Sequence, residues 1–283
     1  MGDEGRALVL GGGGPVGGAW LVGVLAGLAS AGVDPTDVDL TAGASAGAVF
    51  GARLLSGRSP QELYERQLAG ADRIDLDVTT GQTLRFLWAA LGSRDPERSV
   101  RRLGRAALRA RAVPESAVLD TVRILLSGVQ DWPERPLRVA VVDAASGEPD
   151  AFGRESGVTL LEAVAASCAV PVVWPPITVA GRRWMDGGCR STAPLELARG
   201  HRRVLAVVPL PSAVGPHPHA ERQAAALTAA GSHVTLVTPD AAARRAMGRD
   251  MTADHRRAGA ARAGHAQGRT LAASGSIDDL LTA

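Results

Sequence analysis

The sequence predicts an α/β protein, a three-layer α/β/α sandwich around a mostly parallel sheet, with a helical insertion. Two observations carry this prediction. Twice within the first 55 residues, an apolar strand-like run meets a glycine-rich turn and then an apolar helical run, the opening of a wound βαβα sheet. The strand-like runs are short and apolar along their length, as buried strands are.

Arg6-Ala7-Leu8-Val9-Leu10 reads as the first buried strand and runs into four glycines at 11–14. Residues 19–31 (AWLVGVLAGLASA) read as a helix apolar on all sides, which must be buried. A second strand at 38–42 meets Gly43-Ala44-Ser45-Ala46-Gly47 and a helix to about Leu55. Residues 57–136 then turn helical, arginine-rich and less apolar, with breaks at 92–96 and Pro114. Ser59-Pro60-Gln61-Glu62 has the form of a capped helix start. This segment is expected to be a lid-like insertion within a single domain spanning 1–283.

Leu137–Asp143 (LRVAVVD) resumes the sheet. A helix at 158–169, an edge strand or hairpin at 177–184 around Gly181, and strands at 203–208 and 234–238 follow. An amphipathic helix over 251–273 closes the chain, and 209–218 is expected to be a proline-rich loop.

Composition narrows the function. With 46% hydrophobic and 21% charged residues in 283, the chain is globular, and its net charge of +2 gives no reason to expect a nucleic-acid partner. Every basic side chain is arginine, so Schiff-base and P-loop lysines are excluded. Two cysteines, Cys168 and Cys189, suit a reducing compartment. The opening residues have no signal-peptide character. The uncharged stretch 163–181 approaches the length of a membrane span, but Pro171, Pro175 and Pro176 interrupt any helix there. The expectation is a cytoplasmic protein whose contact with membranes is peripheral at most.

Three segments carry candidate chemistry. Ser45, flanked by Gly43, Ala44, Ala46 and Gly47, stands where a strand turns sharply into a helix, the geometry of a nucleophile elbow. The helix that follows points its first amides at any negative charge developing there. By itself the pentapeptide fits a plain packing turn equally well.

The glycines at 11–14, with Gly17 and Gly18, form a cradle of backbone N–H groups at a helix N-terminus. Such a cradle holds an oxyanion or a phosphate. Gly12-x-Gly14-x-x-Gly17 formally fits the dinucleotide fingerprint, but the acid expected at the end of the second strand is missing. Asp186, followed by Gly187 and Gly188, ends the 177–184 region on a tight turn. Alone it reads as a turn aspartate bonding its own backbone.

Together, in this order and spacing, the three segments resemble the patatin-like phospholipase family. The stretch Ala165-Ala166-Ser167-Cys168-Ala169-Val170-Pro171, leading through Pro175-Pro176 to Asp186, is also similar to that family. The resemblance covers about residues 6–56 and 137–210. It implies Ser45 as nucleophile, Asp186 as its base, and the amides of Gly12, Gly13 and Gly14 as oxyanion donors. Gly11, Gly17, Gly43, Gly47, Gly187 and Gly188 would support these motifs. It implies a lipid or other acyl-ester substrate, an acyl-serine intermediate and no metal or organic cofactor. Many family members carry an arginine inside the glycine loop, where Pro15-Val16 stands here, so charge stabilisation would rest on amides alone.

All six histidines follow Asp186, so a Ser…Asp…His order is formally available, with His217 and His219 in the proline-rich loop as candidates. Their other reading is as surface loop residues. The third alternative is a non-catalytic lipid- or nucleotide-binding protein using the glycine cradle. Arg101, Arg102, Arg105, Arg109 and Arg111 form a basic stripe that reads as a solvated helix face or a lipid-headgroup contact. Phe86, Trp88 and Trp132 read as core or as the lining of an acyl passage.

Overall fold

The computed structural model describes residues 5–71, 73–74, 78–110 and 113–275. The predicted stripe residue Arg111 lies outside them. The strands are β1 (Arg6–Leu10), β2 (Leu40–Gly43), β3 (Leu137–Asp143), β4 (Pro149–Phe152), β5 (Ile177–Val179), β6 (Arg182–Asp186), β7 (Arg203–Val207) and β8 (His233–Val237). The helices are α1 (Gly14–Ser30), α2 (Ala46–Leu55), α3 (Pro60–Leu68), α4 (Thr80–Leu91), α5 (Pro96–Arg109), α6 (Glu115–Leu126), α7 (Leu160–Cys168), α8 (Ala220–Ala229), α9 (Ala241–Met247) and α10 (Arg257–Ala273).

The sheet runs β5-β6-β3-β2-β1-β7-β8, with β4 added to β3. Strands β3, β2, β1, β7 and β8 are mutually parallel, and β4, β5 and β6 are antiparallel to their neighbours. The predicted α/β sandwich with a mostly parallel sheet is therefore the observed fold. Successive side chains of β1 split between the two layers. Leu8 and Leu10 pack beneath α1 and α10, whereas Ala7 and Val9 join α8 and the Leu195–Ala198 turn. Helices α2, α6 and α7 cover β3 and the β5–β6 hairpin, burying Val139, Val141 and Trp184.

The register of β3 sets up the rest of the molecule. β2 pairs with its residues 137–139, β6 with 141–143, and β4 with 139–142. Because β4 overlaps both of the others, it occupies one edge of β3, and β2 and β6 share the other edge end to end. β2 arrives parallel and leaves after Gly43; β6 arrives antiparallel and stops at Asp186, paired with Val141. Two strand ends thus face each other across a gap at Ala140.

Helix α1 is buried from Val16 to Leu28. It crosses α10 at backbone contact: a Cβ on Gly23 would come within 2.2 Å of the Ala261 carbonyl oxygen, and one on Gly264 within 2.2 Å of that of Trp20. Only glycine permits this approach. α1 begins at Gly14, earlier than the predicted residue 19. No side chain caps it, and the N–H of Val16 instead donates to the Met251 carbonyl (3.1 Å), a partner 235 residues away that local sequence does not announce.

Other boundaries differ for similar reasons. β2 starts at Leu40 and α10 at Arg257, each later than predicted. Strand β4, with Pro149 and Asp150 exposed, has weak strand chemistry and was not predicted; β3 recruits it as an edge. Helices α8 and α9 were also not predicted. Asp240 caps α9 by accepting from the Ala243 N–H (2.7 Å). Ser59 caps α3 as predicted, accepting from the Glu62 N–H. The hairpin turns at Ala180 and Gly181, both at positive φ, and β6 runs on to Asp186.

The 57–136 segment divides in two. α3 packs on α1 and α10, and α6 on α2 and α7, within the main helical layer. α4 and α5 pack on each other and on Val142 and Met185 near the end of the sheet. No helix among the described residues is long and apolar enough to cross a membrane.

Candidate active site

Ser45 sits between β2 and α2 at φ 51°, ψ −118°, a conformation strained for a residue with a side chain. The turn is this sharp because α2 crosses the end of β1 at backbone distance. A Cβ on Gly47 would lie 2.0 Å from the Leu10 carbonyl oxygen, so that position accepts nothing larger than glycine. Gly43 is crowded in the same way by the Gly47 carbonyl, at 2.6 Å.

Asp186, at the end of β6, is 5% exposed. Its Oδ1 accepts from the Gly188 N–H at 2.7 Å, and the Ser45 hydroxyl lies near enough to its carboxylate to favour the ionised form. Burial pushes the Asp186 pKa up to about 7, and the Gly188 N–H, then the nearby Ser45 hydroxyl, hold it back from rising further.

The gap at Ala140 is filled by a residue to which the sequence reading gave no role. The Ser167 hydroxyl, fully buried at the end of α7, donates to the Ala140 carbonyl (2.7 Å) and accepts from the Ser45 N–H (2.9 Å). Two residues on, the Ala169 carbonyl accepts from the Asp186 N–H (3.0 Å). One helix end thus fixes the backbones of both Ser45 and Asp186. The neighbouring Cys168 side chain lies beside Ser45. Burial, and then the Asp186 charge, raise its pKa above the ordinary thiol range.

The glycine loop lies against the serine: a Cβ on Gly12 would meet the Ser45 Cβ at 3.5 Å. Its donors differ from expectation. The Gly12 N–H already donates to the Thr192 carbonyl (2.8 Å) and that of Gly11 to Val207 (2.9 Å), so Gly12 is withdrawn as an oxyanion donor. Among the described residues, no acceptor meets the N–H groups of Gly13, Gly14 or Ala46. Gly14 opens α1 and Ala46 opens α2, so the positive ends of two helices converge here. Gly17 is tight against the Pro209 ring, and Gly187 against the Ala140 carbonyl; both are packing positions. Gly188 supplies the amide that holds Asp186.

Ser45, Ala46, Gly14 and Pro15 open onto an apolar cavity of about 290 Å³. Its walls include Val49, Phe50, Phe86, Val122 and Trp174. Phe86 therefore lines it, whereas Trp88 is exposed and the Trp132 indole donates to the Val158 carbonyl (2.8 Å). Two nearly buried guanidiniums, Arg53 and Arg257, reach the same cavity from α2 and α10. Neither has a sequence signature in a chain whose basic residues are all arginine. Among the described residues, no histidine lines the cavity. His217 is buried and not a surface residue, and burial followed by the Arg190 charge lowers its pKa. His219 precedes α8 and hydrogen-bonds Ser212. Among the described residues, no three His, Cys, Asp or Glu side chains gather as a metal site.

A strained strand-to-helix serine near a buried carboxylate, against a glycine loop and at the mouth of an apolar cavity, marks the class of α/β protein to which this chain belongs. The sequence model described as patatin-like phospholipase matches residues 8–199, and the chain belongs to that family of lipid hydrolases. Two solved structures are similar to it. VipD from Legionella pneumophila is 17% identical with a TM-score of 0.39, over 65% of this chain and 46% of that one. The type III effector protein ExoU is 14% identical with a TM-score of 0.38, over 95% of this chain and 54% of that one. The chain spans about half the length of these structures. No curated protein matches it.

Proposed function

We propose that the chain is a single-domain serine hydrolase that cleaves acyl esters of lipids, with Ser45 as nucleophile and Asp186 as its base. The observation that carries this reading is the strained elbow Ser45, whose hydroxyl lies beside a buried carboxylate with a pKa near neutrality. An exposed aspartate, with a pKa of about 4, is a weak acceptor for a hydroxyl proton; burial gives Asp186 the basicity the step needs.

In this mechanism the Ser45 Oγ bonds to the ester carbonyl carbon while Asp186 takes its proton, and the carbonyl electrons move onto oxygen. The N–H groups of Gly13, Gly14 and Ala46 face that oxyanion. When the carbonyl re-forms, the C–O bond to the alcohol breaks and Asp186 returns the proton to the departing oxygen. Water, deprotonated by Asp186, then adds to the acyl carbonyl carbon; the acyl–Oγ bond breaks, Asp186 returns the proton to Ser45, and the fatty acid leaves. The apolar cavity beside Ser45 takes the acyl chain. The two free cysteines fit work in a reducing compartment, the cytoplasm.

The direct test is labelling by a fluorophosphonate, mapped by peptide mass spectrometry, alongside fatty-acid release from p-nitrophenyl esters and phospholipids. Label on Ser45 together with ester turnover is expected. Retained lipid binding with neither would leave a non-catalytic binding protein. With Asp186 as base, kcat/KM should rise with pH through an acid limb centred near pH 7 and then plateau. The same limb should persist in His217→Gln, whereas a Ser-His-Asp enzyme would lose its activity in that variant.

Ser167 is expected to act as a positioning residue. Ser167→Ala leaves the buried Ala140 carbonyl and Ser45 N–H without their shared partner, at a cost of about 1–3 kcal/mol. Assayed well below its own Tm, the variant should lose about tenfold or more in kcat with KM nearly unchanged, since the acyl cavity is untouched. A fall in stability with wild-type kcat would reduce Ser167 to a packing residue.

A further inference from the structure

Helix α4 has two apolar faces. Phe86 lines the cavity beside Ser45, and Ala89 and Ala90 are buried against α5 and the sheet. On the opposite side, Leu84, Trp88 and Leu91 stand 62%, 73% and 62% exposed, with Leu87 between them. At 3.6 residues per turn these four fall within one arc of about 100°. A globular protein seldom leaves so many large apolar side chains together in water without something to cover them.

The charge around this face indicates what covers it. Residues 80–110 carry seven arginines against two acids, Asp95 and Glu97, in a chain whose overall net charge is only +2. The Arg102 guanidinium lies over the Trp88 ring at 4.5 Å, placing a cation at the edge of the apolar stripe. Large aliphatic and indole side chains with a guanidinium at their edge, in an arginine-rich pair of helices, match the boundary between acyl chains and anionic headgroups.

We propose that the outer face of α4, Leu84, Trp88 and Leu91 with Arg102 at its edge, docks the protein, through this face and the arginine-rich α4–α5 segment, on an anionic lipid surface. Docking there brings the cavity wall formed by the inner face of the same helix next to the bilayer, so a lipid leaving the membrane has a short apolar path to Ser45. The proposal rests in part on the reading of the substrate as a lipid, but it concerns binding and is testable without turnover.

The test uses the catalytically silent Ser45→Ala chain with vesicles of phosphatidylcholine alone and of phosphatidylcholine mixed with phosphatidylglycerol. Sedimentation with the mixed vesicles is expected, weakened by salt and weak on phosphatidylcholine alone. Adding Leu84→Ser, Trp88→Ser and Leu91→Ser should reduce vesicle affinity about tenfold or more, and Arg101→Glu with Arg105→Glu should remove the preference for phosphatidylglycerol. In the Ser45 background, both sets should hydrolyse a soluble short-chain p-nitrophenyl ester within about twofold of wild type, which separates failure of docking from failure of the active site. Undiminished sedimentation of the triple-serine variant overturns the proposal. So does a concentration-dependent dimer, seen by size-exclusion chromatography and lost in that variant while vesicle binding is unchanged, because the stripe would then be covered by a second copy.

Discussion

Ser45→Ala and Ser45→Gly are both expected to lose ester hydrolysis by roughly a factor of 10⁴ or more, yet the glycine variant should be the more stable of the two. The activity loss follows from removing the only nucleophile the mechanism provides. The stability order is less usual. Glycine ordinarily costs about 0.5–1 kcal/mol relative to alanine through backbone entropy. At φ 51°, ψ −118°, a Cβ is itself a source of strain of about 1–3 kcal/mol, which alanine keeps and glycine releases. Because both variants lack the hydroxyl, its lost hydrogen bonds cancel in the comparison. Urea denaturation of the pair should place glycine above alanine by about 1 kcal/mol. Alanine melting above glycine would mean that the elbow is unstrained.

Asp186→Asn should be comparably inactive, and considerably more stable than wild type above neutral pH. The amide keeps an acceptor for the Gly188 N–H but cannot take a proton from the Ser45 hydroxyl. The stability change follows from linkage. The pKa of Asp186 is raised from 3.8 in the unfolded chain to about 7 in the fold, chiefly by burial, so the folded state holds the proton more tightly. Its contribution is fully present below about pH 4 and is lost as pH rises through 7. By pH 8 the wild type bears the full cost of a buried carboxylate, on the order of 4 kcal/mol, which asparagine avoids. Denaturation midpoints should therefore coincide near pH 4 and separate progressively up to pH 8. Equal midpoints at pH 8 would show that Asp186 ionises as easily in the fold as in water. Its basicity and its destabilisation are one effect: a site dry enough to make a carboxylate a competent base makes that carboxylate costly to keep.

The fold was largely legible along the chain, because the features that define it are local. β1, β3, α2 and α7 announce themselves by apolar runs and by glycine or capping residues at their ends. What escaped was recruited from a distance. β4 is a strand because β3 offers an edge, and α1 gains its first turn from a carbonyl at Met251. His217 lies buried although it stands in a proline-rich loop, because burial depends on what the rest of the chain packs against that loop.

The candidate site divides in the same way. The residue types and their order (glycine loop, elbow serine, aspartate before two glycines) were fixed by sequence, since each depends on turns only a few residues long. Sequence could not tell which amides of the loop were already spent: Gly12 gives its N–H to Thr192, and only coordinates of a segment 180 residues away reveal that. Nor could it tell that Ser167 would bridge the gap between two strand ends on one edge of β3. Hydrogen-bond accounting is a tertiary property: a donor is available or occupied according to what the rest of the chain brings alongside it. The chemical alphabet of this protein is thus written in its local sequence, while the approach of Ser45 to Asp186, and the burial that raises the carboxylate's pKa, exist only once the sheet has closed around them.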